Sequence, residues 1–117
     1  MDYEPNAEFR VVQLTPPGSK CSIQIGKGLT DAASGSLRNV YLVVTDLEEA
    51  RNRLRERGVD LGDIRHKIPI GAWNGGCAPG LDPVRGDYAS FANFSDPDGN
   101  TWVLQERGYR NKSLAER

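Results

Sequence analysis

The sequence of 117 residues predicts an α+β protein. Three observations carry this prediction: an Asp-Pro-Asp-Gly turn between two apolar strands near the end, an amphipathic helix after the most apolar strand, and an alternating hairpin near the start. A chain of this length holds one hydrophobic core. We therefore predict a single domain over residues 1–117.

The first part of the chain predicts two or three strands. Residues 1–7 are polar and either start a strand or trail loosely. Residues 8–15 alternate in part, a Pro-Pro-Gly turn follows, and residues 20–26 alternate well, so the two segments predict a hairpin. Residues 27–36 are rich in Gly, Ser and Asp and predict a linker.

The next segment predicts a strand that leads directly into a helix. Residues 37–45 form the most apolar run of the chain. Asp46 ends this strand, and Glu49 three residues later completes a capping-box pattern. An Arg-Gly pair ends the helix, and its charged face indicates a solvated surface rather than a nucleic-acid surface. The apolar stripe of the helix consists of Leu47, Ala50 and Leu54.

The last third predicts a strand, a long loop and a terminal hairpin. Residues 60–68 predict the strand, and residues 69–87, rich in Gly and Pro, predict a loop that is either functional or disordered. Residues 88–106 predict the hairpin, and residues 108–117 a polar tail. The last strand should place Thr101, Val103 and Gln105 on one face and Trp102, Leu104 and Glu106 on the other.

Composition excludes several classes of protein. The net charge is −1, so nothing points to nucleic acid or to a membrane surface as a partner. No apolar run approaches the ~20 residues of a membrane helix, and the start lacks a signal-peptide core. Two cysteines are too few for a disulfide framework, which predicts a reduced, cytoplasmic protein.

Two segments together resemble a known family. The terminal hairpin carries Phe91 and Phe94 before its turn and Trp-Val-Leu-Gln-Glu after it, and Asn-Val-Tyr-Leu-Val-Val-Thr-Asp precedes the helix. They resemble the second half of a vicinal oxygen chelate protein, the superfamily of glyoxalase I, bleomycin-resistance proteins and extradiol dioxygenases. The resemblance implies a complete second βαβββ module at residues 37–107. It also implies a truncated first module at residues 3–26, which lacks its first strand and helix.

The resemblance also indicates where a metal ion would bind. Metal-dependent members chelate a divalent ion through side chains, often His and Glu, that point into a barrel formed by the modules. The corresponding positions of the second module fall on Val40 and Val103, or on Tyr41 and Trp102 if the register shifts by one. The first module offers Gln24. None is a usual ligand, so the resemblance implies a protein with neither a metal ion nor another cofactor.

We therefore predict metal-free binding of a small hydrophobic or aromatic molecule in a barrel cavity, as in the drug-resistance branch of the superfamily. Apolar side chains would line the cavity, two polar residues would orient the ligand, and Trp73 would act as a lid. The predicted ligand-binding residues are Gln24, Val40, Leu42, His66, Trp73, Val103 and Gln105.

Two alternatives remain open. The first is a superfamily enzyme, a lyase, isomerase or dioxygenase, with an atypical metal site of His66, Asp87 and Glu106 or with His66 as a general base. A lone histidine on an apolar strand face is more often a packed residue than a catalyst, and the sequence shows no nucleophile beside it. The second alternative is a non-catalytic assembly module without a small-molecule ligand.

The truncated first module predicts self-association. A sheet that lacks a strand exposes unpaired backbone N–H and C=O groups, and a core that lacks its helix exposes Cys21, Ile23 and Ile25. We therefore expect a homodimer or a higher homo-oligomer. The alternative is that the residues before Phe9, or the tail, cover the gap.

Overall fold

A computed structural model describes residues 1–111 of the chain. The chain divides into two compact units, Met1–Ala33 and Ser34–Arg117, and the division lies within the predicted linker. That the two units form one domain stays a prediction. The predicted tail lies partly outside the described residues, because residues 112–117 are not among them.

The first unit is a three-stranded antiparallel sheet in the order β1-β2-β3. Its strands are β1 (Asp2–Asn6), β2 (Phe9–Leu14) and β3 (Ile23–Lys27). The predicted hairpin is confirmed as β2 and β3, with Gln13 opposite Gln24. The polar first residues form a strand rather than a loose end. The first unit therefore supplies three strands and no helix, as expected of a truncated module.

Within residues 34–111, the second unit contains one α-helix, five strands and a short 3₁₀ helix that lies between the second and third strands. These elements are β4 (Val40–Val44), α1 (Leu47–Glu56), β5 (Arg65–Lys67), the 3₁₀ helix (Ile70–Ala72), β6 (Cys77–Pro79), β7 (Ser90–Ser95) and β8 (Thr101–Glu106). The sheet order is β4-β8-β7-β5-β6. Strand β4 runs parallel to β8, and the other neighbours are antiparallel. Leaving aside the short β6 at the edge, this is the complete βαβββ module that the sequence predicts.

Helix α1 forms where predicted because its first turn is capped and one of its faces is apolar. The Asp46 carboxylate accepts a hydrogen bond of 3.1 Å from the amide of Glu49. Gly58, with φ +91°, follows the last turn. The predicted stripe is confirmed: Leu47 is buried in a cluster with Leu61, Ala92 and Leu104, and Ala50 and Leu54 pack against it. Burial of this stripe against the sheet fixes the helix on one face.

The turn between β7 and β8 is held by one carboxylate. Asp96 Oδ1 accepts hydrogen bonds from the amides of Asp98 and Asn100, and Asp96 Oδ2 accepts from the indole N–H of Trp102 at 3.0 Å. These bonds, that from Trp102 foremost, lower the pKa of Asp96. Gly99 takes φ +94°, as the turn requires.

The same turn also binds the segment that leads into β4. The side-chain oxygen of Asn100 accepts a hydrogen bond from the Leu37 amide at 3.0 Å, and Arg38 donates to the Gly99 carbonyl at 3.2 Å. A Cβ on Gly35 would collide with the carbonyl oxygen of Asp98. The turn therefore contacts both its own hairpin and the start of the parallel strand beside it.

A buried ion pair joins the end of β8 to the start of α1. The side chain of Glu106 has no solvent exposure, and Arg85 donates two hydrogen bonds to its carboxylate, at 2.7 and 2.6 Å. The same carboxylate accepts the Leu47 amide at 2.8 Å, at the first turn of α1. The guanidinium of Arg85 lies 3.5 Å from Asp46 and 3.5 Å from the ring centroid of Tyr109. Hydrogen bonding to Glu106 is the main cause of the raised pKa of Arg85.

Two sequence predictions need correction in the region between α1 and β7. The predicted strand at residues 60–68 shrinks to β5 and an isolated bridge between Leu61 and Phe94, because the Gly62 carbonyl accepts a hydrogen bond from Arg51 at 2.9 Å. The predicted loop at residues 69–87 contains the 3₁₀ helix and β6. Its second half is ordered by Asp82, whose carboxylate accepts the Gly86 amide at 2.9 Å.

Two of the exclusions from composition can be compared with the structure. Within residues 1–111, no helix is long and apolar enough to cross a membrane. Cys21 and Cys77 are free, exposed thiols, so they do not form a disulfide with each other.

We expect Glu106→Gln to lower the free energy of unfolding by about 3 kcal/mol, because a neutral amide leaves the Arg85 guanidinium without its buried counter-charge. Urea unfolding followed by far-UV circular dichroism measures this loss. Glu49→Gln is the matched control, since Glu49 forms an exposed ion pair with Arg53 and its removal should cost less than about 1 kcal/mol. Equal losses in the two variants would contradict the structural role of the pair.

We expect the stabilisation by Asp96 to depend on pH. Because the folded-state pKa of Asp96 lies below its unfolded value, its contribution is complete above that unfolded value of about 3.9 and is lost as the pH falls through the folded pKa. The stability difference between the wild type and Asp96→Asn should narrow between pH 6 and pH 3, as read from urea midpoints. Asp98→Asn is the control, since within residues 1–111 its carboxylate accepts no hydrogen bond. A difference that stays constant with pH would refute the assignment.

Candidate functional site

The sheet of the second unit has two faces with different surroundings. One face packs against α1 through Leu42, Val44, Ala92 and Leu104. We call the opposite side the helix-free face. Side chains alternate along a strand and paired residues share a face, so the register identifies its members. Besides Cys77, Pro79, Ser95 and Thr101, they include Tyr41, Val43, Arg65, Lys67, Phe91, Asn93, Val103 and Gln105.

The pairing places these side chains in two rows across the sheet. One row runs Arg65, Phe91, Gln105 and Val43 across four neighbouring strands. The second row runs Asn93, Val103 and Tyr41. Neighbouring strands lie about 4.8 Å apart, so the first row spans roughly 14 Å. The helix-free face therefore carries a strip of aromatic, amide and aliphatic side chains between a cationic end and the β4 edge.

Exposure differs sharply between the strands of this face. Tyr41 and Val43, on edge strand β4, each keep 52 % of their surface exposed, whereas Val103 on the central strand is 2 % exposed. Phe91 is half-buried and Gln105 is buried. The Gln105 side chain is fixed because its amide donates to the Tyr88 carbonyl at 3.1 Å.

The charged residues of the helix-free face are both cations on β5. The Arg65 guanidinium lies 4.9 Å from the ring centroid of Phe91 and donates to the side-chain oxygen of Asn93 at 2.8 Å. The Lys67 ammonium lies 4.5 Å from the Trp73 ring, and the Trp73 indole donates to the Gly76 carbonyl at 2.6 Å. Aromatic contacts thus hold both cations in place.

The structure does not bring the seven predicted ligand-binding residues together. Val103 and Gln105 lie on the helix-free face, and Trp73 lies beside Lys67 near its β5 end. Val40 and Leu42 lie on the opposite face, opposite Trp102 and Leu104 in the pairing. The predicted alternation is correct within each strand. However, Val40 and Leu42 were expected to share a face with Val103 and Gln105, and the pairing places the two sets on opposite faces.

His66 and Gln24 are also separate from the helix-free face. His66 pairs with Ser90 and Ala78 and alternates with Arg65, so it points to the side that carries Ala92. Its Nδ1 lies 2.8 Å from the Gly80 carbonyl, which can only accept, so Nδ1 carries the proton. Gln24 belongs to the first unit, where its side-chain amide donates to Gln13 at 3.0 Å.

The atypical site of His66, Asp87 and Glu106 is not supported. Glu106 is occupied by Arg85 and the Leu47 amide, and the Asp87 carboxylate accepts the Gly108 amide at 2.8 Å. Among residues 1–111, no three His, Cys, Asp or Glu side chains lie close enough to hold a metal ion. His66 therefore has neither of the partners that this alternative requires.

A polar recess lies where β4 and β8 begin. Its volume is about 410 Å³ and it opens widely to solvent. The residues that line it are Asn39, Asp60, Asn93, Phe94, Ser95 and Thr101. It contains none of the predicted ligand-binding residues, and its polar lining differs from the apolar cavity that the sequence predicts.

Comparisons with known proteins identify solved structures that share this fold. No protein-family model matches the chain, and no curated protein matches it. Solved structures that match this chain include two crystal structures of proteins from Streptomyces sp. CB03234. TnmS3, an antibiotic binding protein, has a TM-score of 0.60 and 28 % identity over 89 % of this chain and 70 % of its own. A glyoxalase/bleomycin resistance protein has a TM-score of 0.59 and 28 % identity over 88 % of this chain and 74 % of its own.

The chain shares its fold with glyoxalase/bleomycin resistance proteins, as expected of the vicinal oxygen chelate superfamily. The resemblance in the terminal hairpin and the strand before α1 is therefore confirmed, together with the α+β fold and the partial module arrangement.

The metal ion of the metal-dependent members does not fit the residues present. The resemblance places Val103 at the ligand position of the last strand, and the partner of Val103 on β4 is Tyr41 rather than Val40. A valine and a tyrosine do not replace the imidazole and carboxylate ligands that such ions prefer. This superfamily scaffold therefore presents apolar and aromatic groups where other members chelate.

Sequence reasoning missed the importance of four residues on the helix-free face, which are Tyr41, Arg65, Lys67 and Phe91. In the sequence, Tyr41 and Phe91 entered only through the family resemblance, and nothing marked Arg65 and Lys67 as site residues. One signal was available: Arg65 and Lys67 flank His66, so strand alternation sends them to the face opposite it. The sequence does not show which face of β5 lacks the helix, because that depends on how β5 pairs with β7.

Proposed function

We propose that this protein binds a small hydrophobic or aromatic molecule on the helix-free face, without a metal ion. One observation carries the proposal: Val103, which the resemblance places at a metal-ligand position, pairs with Tyr41 and Asn93, and Phe91 lies in the adjacent row. The face thus offers ring and aliphatic contacts at the place where the superfamily holds its substrates. That the ligand lies in an enclosed barrel cavity stays a prediction.

Exposed apolar surface on this face supplies a physical reason for binding. Tyr41 and Val43 are half-exposed neighbours on one edge strand, and burial of a side chain of this size contributes about 1.5–3 kcal/mol. Asn93 and Gln105 add polar groups beside the apolar ones. A few fixed polar groups within an apolar surface are typical of small-molecule sites.

The neighbour TnmS3 supports binding rather than turnover, since it is an antibiotic binding protein with the same fold. An antibiotic or a similar ring-containing molecule is therefore the ligand class that we propose for this chain. His66, the candidate base of the enzymatic alternative, lies on the opposite face and donates to a carbonyl. Nothing in the site favours that alternative over binding.

We expect Tyr41→Ala and Phe91→Ala each to weaken binding of aromatic ligands about tenfold, since each removes ring contact worth roughly 1.4 kcal/mol. A thermal-shift screen of hydrophobic and aromatic antibiotics finds a ligand, and isothermal titration calorimetry measures its Kd. Repeating the titration after treatment with EDTA should leave the affinity unchanged.

His66→Ala is the matched control, because His66 sits on β5 but points away from the helix-free face. It should leave the Kd within about twofold of the wild type. A loss of affinity in His66→Ala with none in Tyr41→Ala would place the ligand on the wrong face and overturn the proposal. Binding that disappears with EDTA would overturn its metal-free part.

We also propose that the protein is a homodimer or a higher homo-oligomer. Among residues 34–111, the outer side of β4 has no partner strand, and the Tyr41 and Val43 side chains of β4 are half-exposed. An apolar edge strand of this kind readily pairs with another chain. Size-exclusion chromatography with light scattering should give at least twice the 12.9 kDa chain mass, and Val43→Lys should reduce it. A monomer at micromolar concentration would contradict the proposal.

A further inference from the structure

We propose that the bound aromatic molecule carries an anionic group, which Arg65 and Lys67 hold at the β5 end of the helix-free face. This inference rests on the proposed function and adds the chemical class of the ligand. It follows from the charges of the face, the way the two cations are held, and their position relative to the aromatic strip.

Among residues 1–111, the strand residues of the helix-free face include two cations, Arg65 and Lys67, and no carboxylate. The rest are apolar, aromatic, amide, hydroxyl or thiol side chains. Within residues 1–111, neither cation has a carboxylate within 4.0 Å. The positive charge on this face is therefore not neutralised by the described part of the protein. A ligand of opposite charge complements it.

Arg65 is oriented for recognition of a planar anion. Its guanidinium stacks on Phe91 and is tied to Asn93 through one Nη2–H, while Nη1 lies 3.8 Å from the Cys77 sulfur, a weak acceptor. Within the described residues, Nε has no hydrogen-bond partner. A guanidinium held in this way loses little side-chain entropy when it binds a carboxylate or sulfonate.

Lys67 supplies a second positive charge on the same side of β5. It lies two residues from Arg65, which corresponds to about 7 Å along a strand. Its ammonium contacts the Trp73 ring, and the bond from the Trp73 indole to the Gly76 carbonyl fixes that ring. Trp73 thus positions the ammonium of Lys67. An aromatic ligand bound near this ammonium would also contact the Trp73 ring.

The order of residues across the sheet gives the ligand a direction. Starting from Arg65, the first row continues with Phe91, Gln105 and Val43, and Tyr41 and Val103 lie in the adjacent row. An acid group at Arg65 would place a fused ring system over Phe91 and toward β4. The strip therefore suits a flat molecule with its anionic group at one end.

Matched pairs of probes test the inference by changing only the charge. The acid and the primary amide of benzene, naphthalene and anthracene are titrated into the intact protein, in the order benzoate and benzamide, 2-naphthoate and 2-naphthamide, 9-anthroate and its amide. At least one acid should bind about fivefold more tightly than its amide, since charge-assisted bonds at a partly exposed site contribute roughly 1 kcal/mol. Raising the salt concentration should reduce this ratio.

Variants then assign the preference to the two cations. Arg65→Gln and Lys67→Gln should each bring the acid-to-amide ratio toward one, while Lys67→Arg should keep it. Arg55→Gln, on the exposed surface of α1, removes the same charge elsewhere and should leave the ratio unchanged. The Lys67 variants preserve the test if Arg65→Gln fails to fold, because Arg65 also supports Phe91 and Asn93.

Each other outcome decides between this inference and the proposed function. If acids and amides bind the wild type equally, or if the ratio persists in Lys67→Gln and Arg65→Gln, the anionic class is wrong while aromatic binding stands. If no member of any pair binds, the proposed function fails and this inference fails with it.

Discussion

The architecture of the second unit depends on the buried carboxylate of Glu106. It binds Arg85 through two hydrogen bonds and receives the first amide of α1, so one side chain joins the loop before β7, the helix and the end of β8. Arg85 takes a positive φ of 50°, a conformation that costs a non-glycine residue about 1 kcal/mol or more. The ion pair offsets this strain, and it fixes α1 on one face of the sheet.

Local signals explain why much of the fold could be predicted. Asp46 caps α1 and Asp96 closes the β7–β8 turn with the bonds that their sequence positions indicate, because both act within a few residues. Alternation likewise gave the two faces of β8. The short β6 was missed because only three residues pair there, and the strand before it was overextended because Arg51 takes the Gly62 carbonyl out of the sheet.

The site was harder to predict because it depends on register between distant strands. Val40 and Val103 were predicted as two ligand positions of one metal site, yet Tyr41 is the residue opposite Val103. A shift of one residue moves every side chain of a strand to the other face, and no local signal sets the register of two parallel strands. The same limit hid the role of Arg65, whose contact with Phe91 joins residues far apart in sequence.

The turn between β7 and β8 should tolerate inserted residues poorly. Hairpin loops are ordinarily where chains accept extra residues, since little beyond the loop contacts them. Here Asn100 and Gly99 bond the segment before β4, and Gly35 leaves no room for a side chain against Asp98. Lengthening this loop would pull on a parallel strand as well as on its own hairpin. Natural variation in length and engineered tags should therefore be found elsewhere on the surface, although the loop itself is exposed.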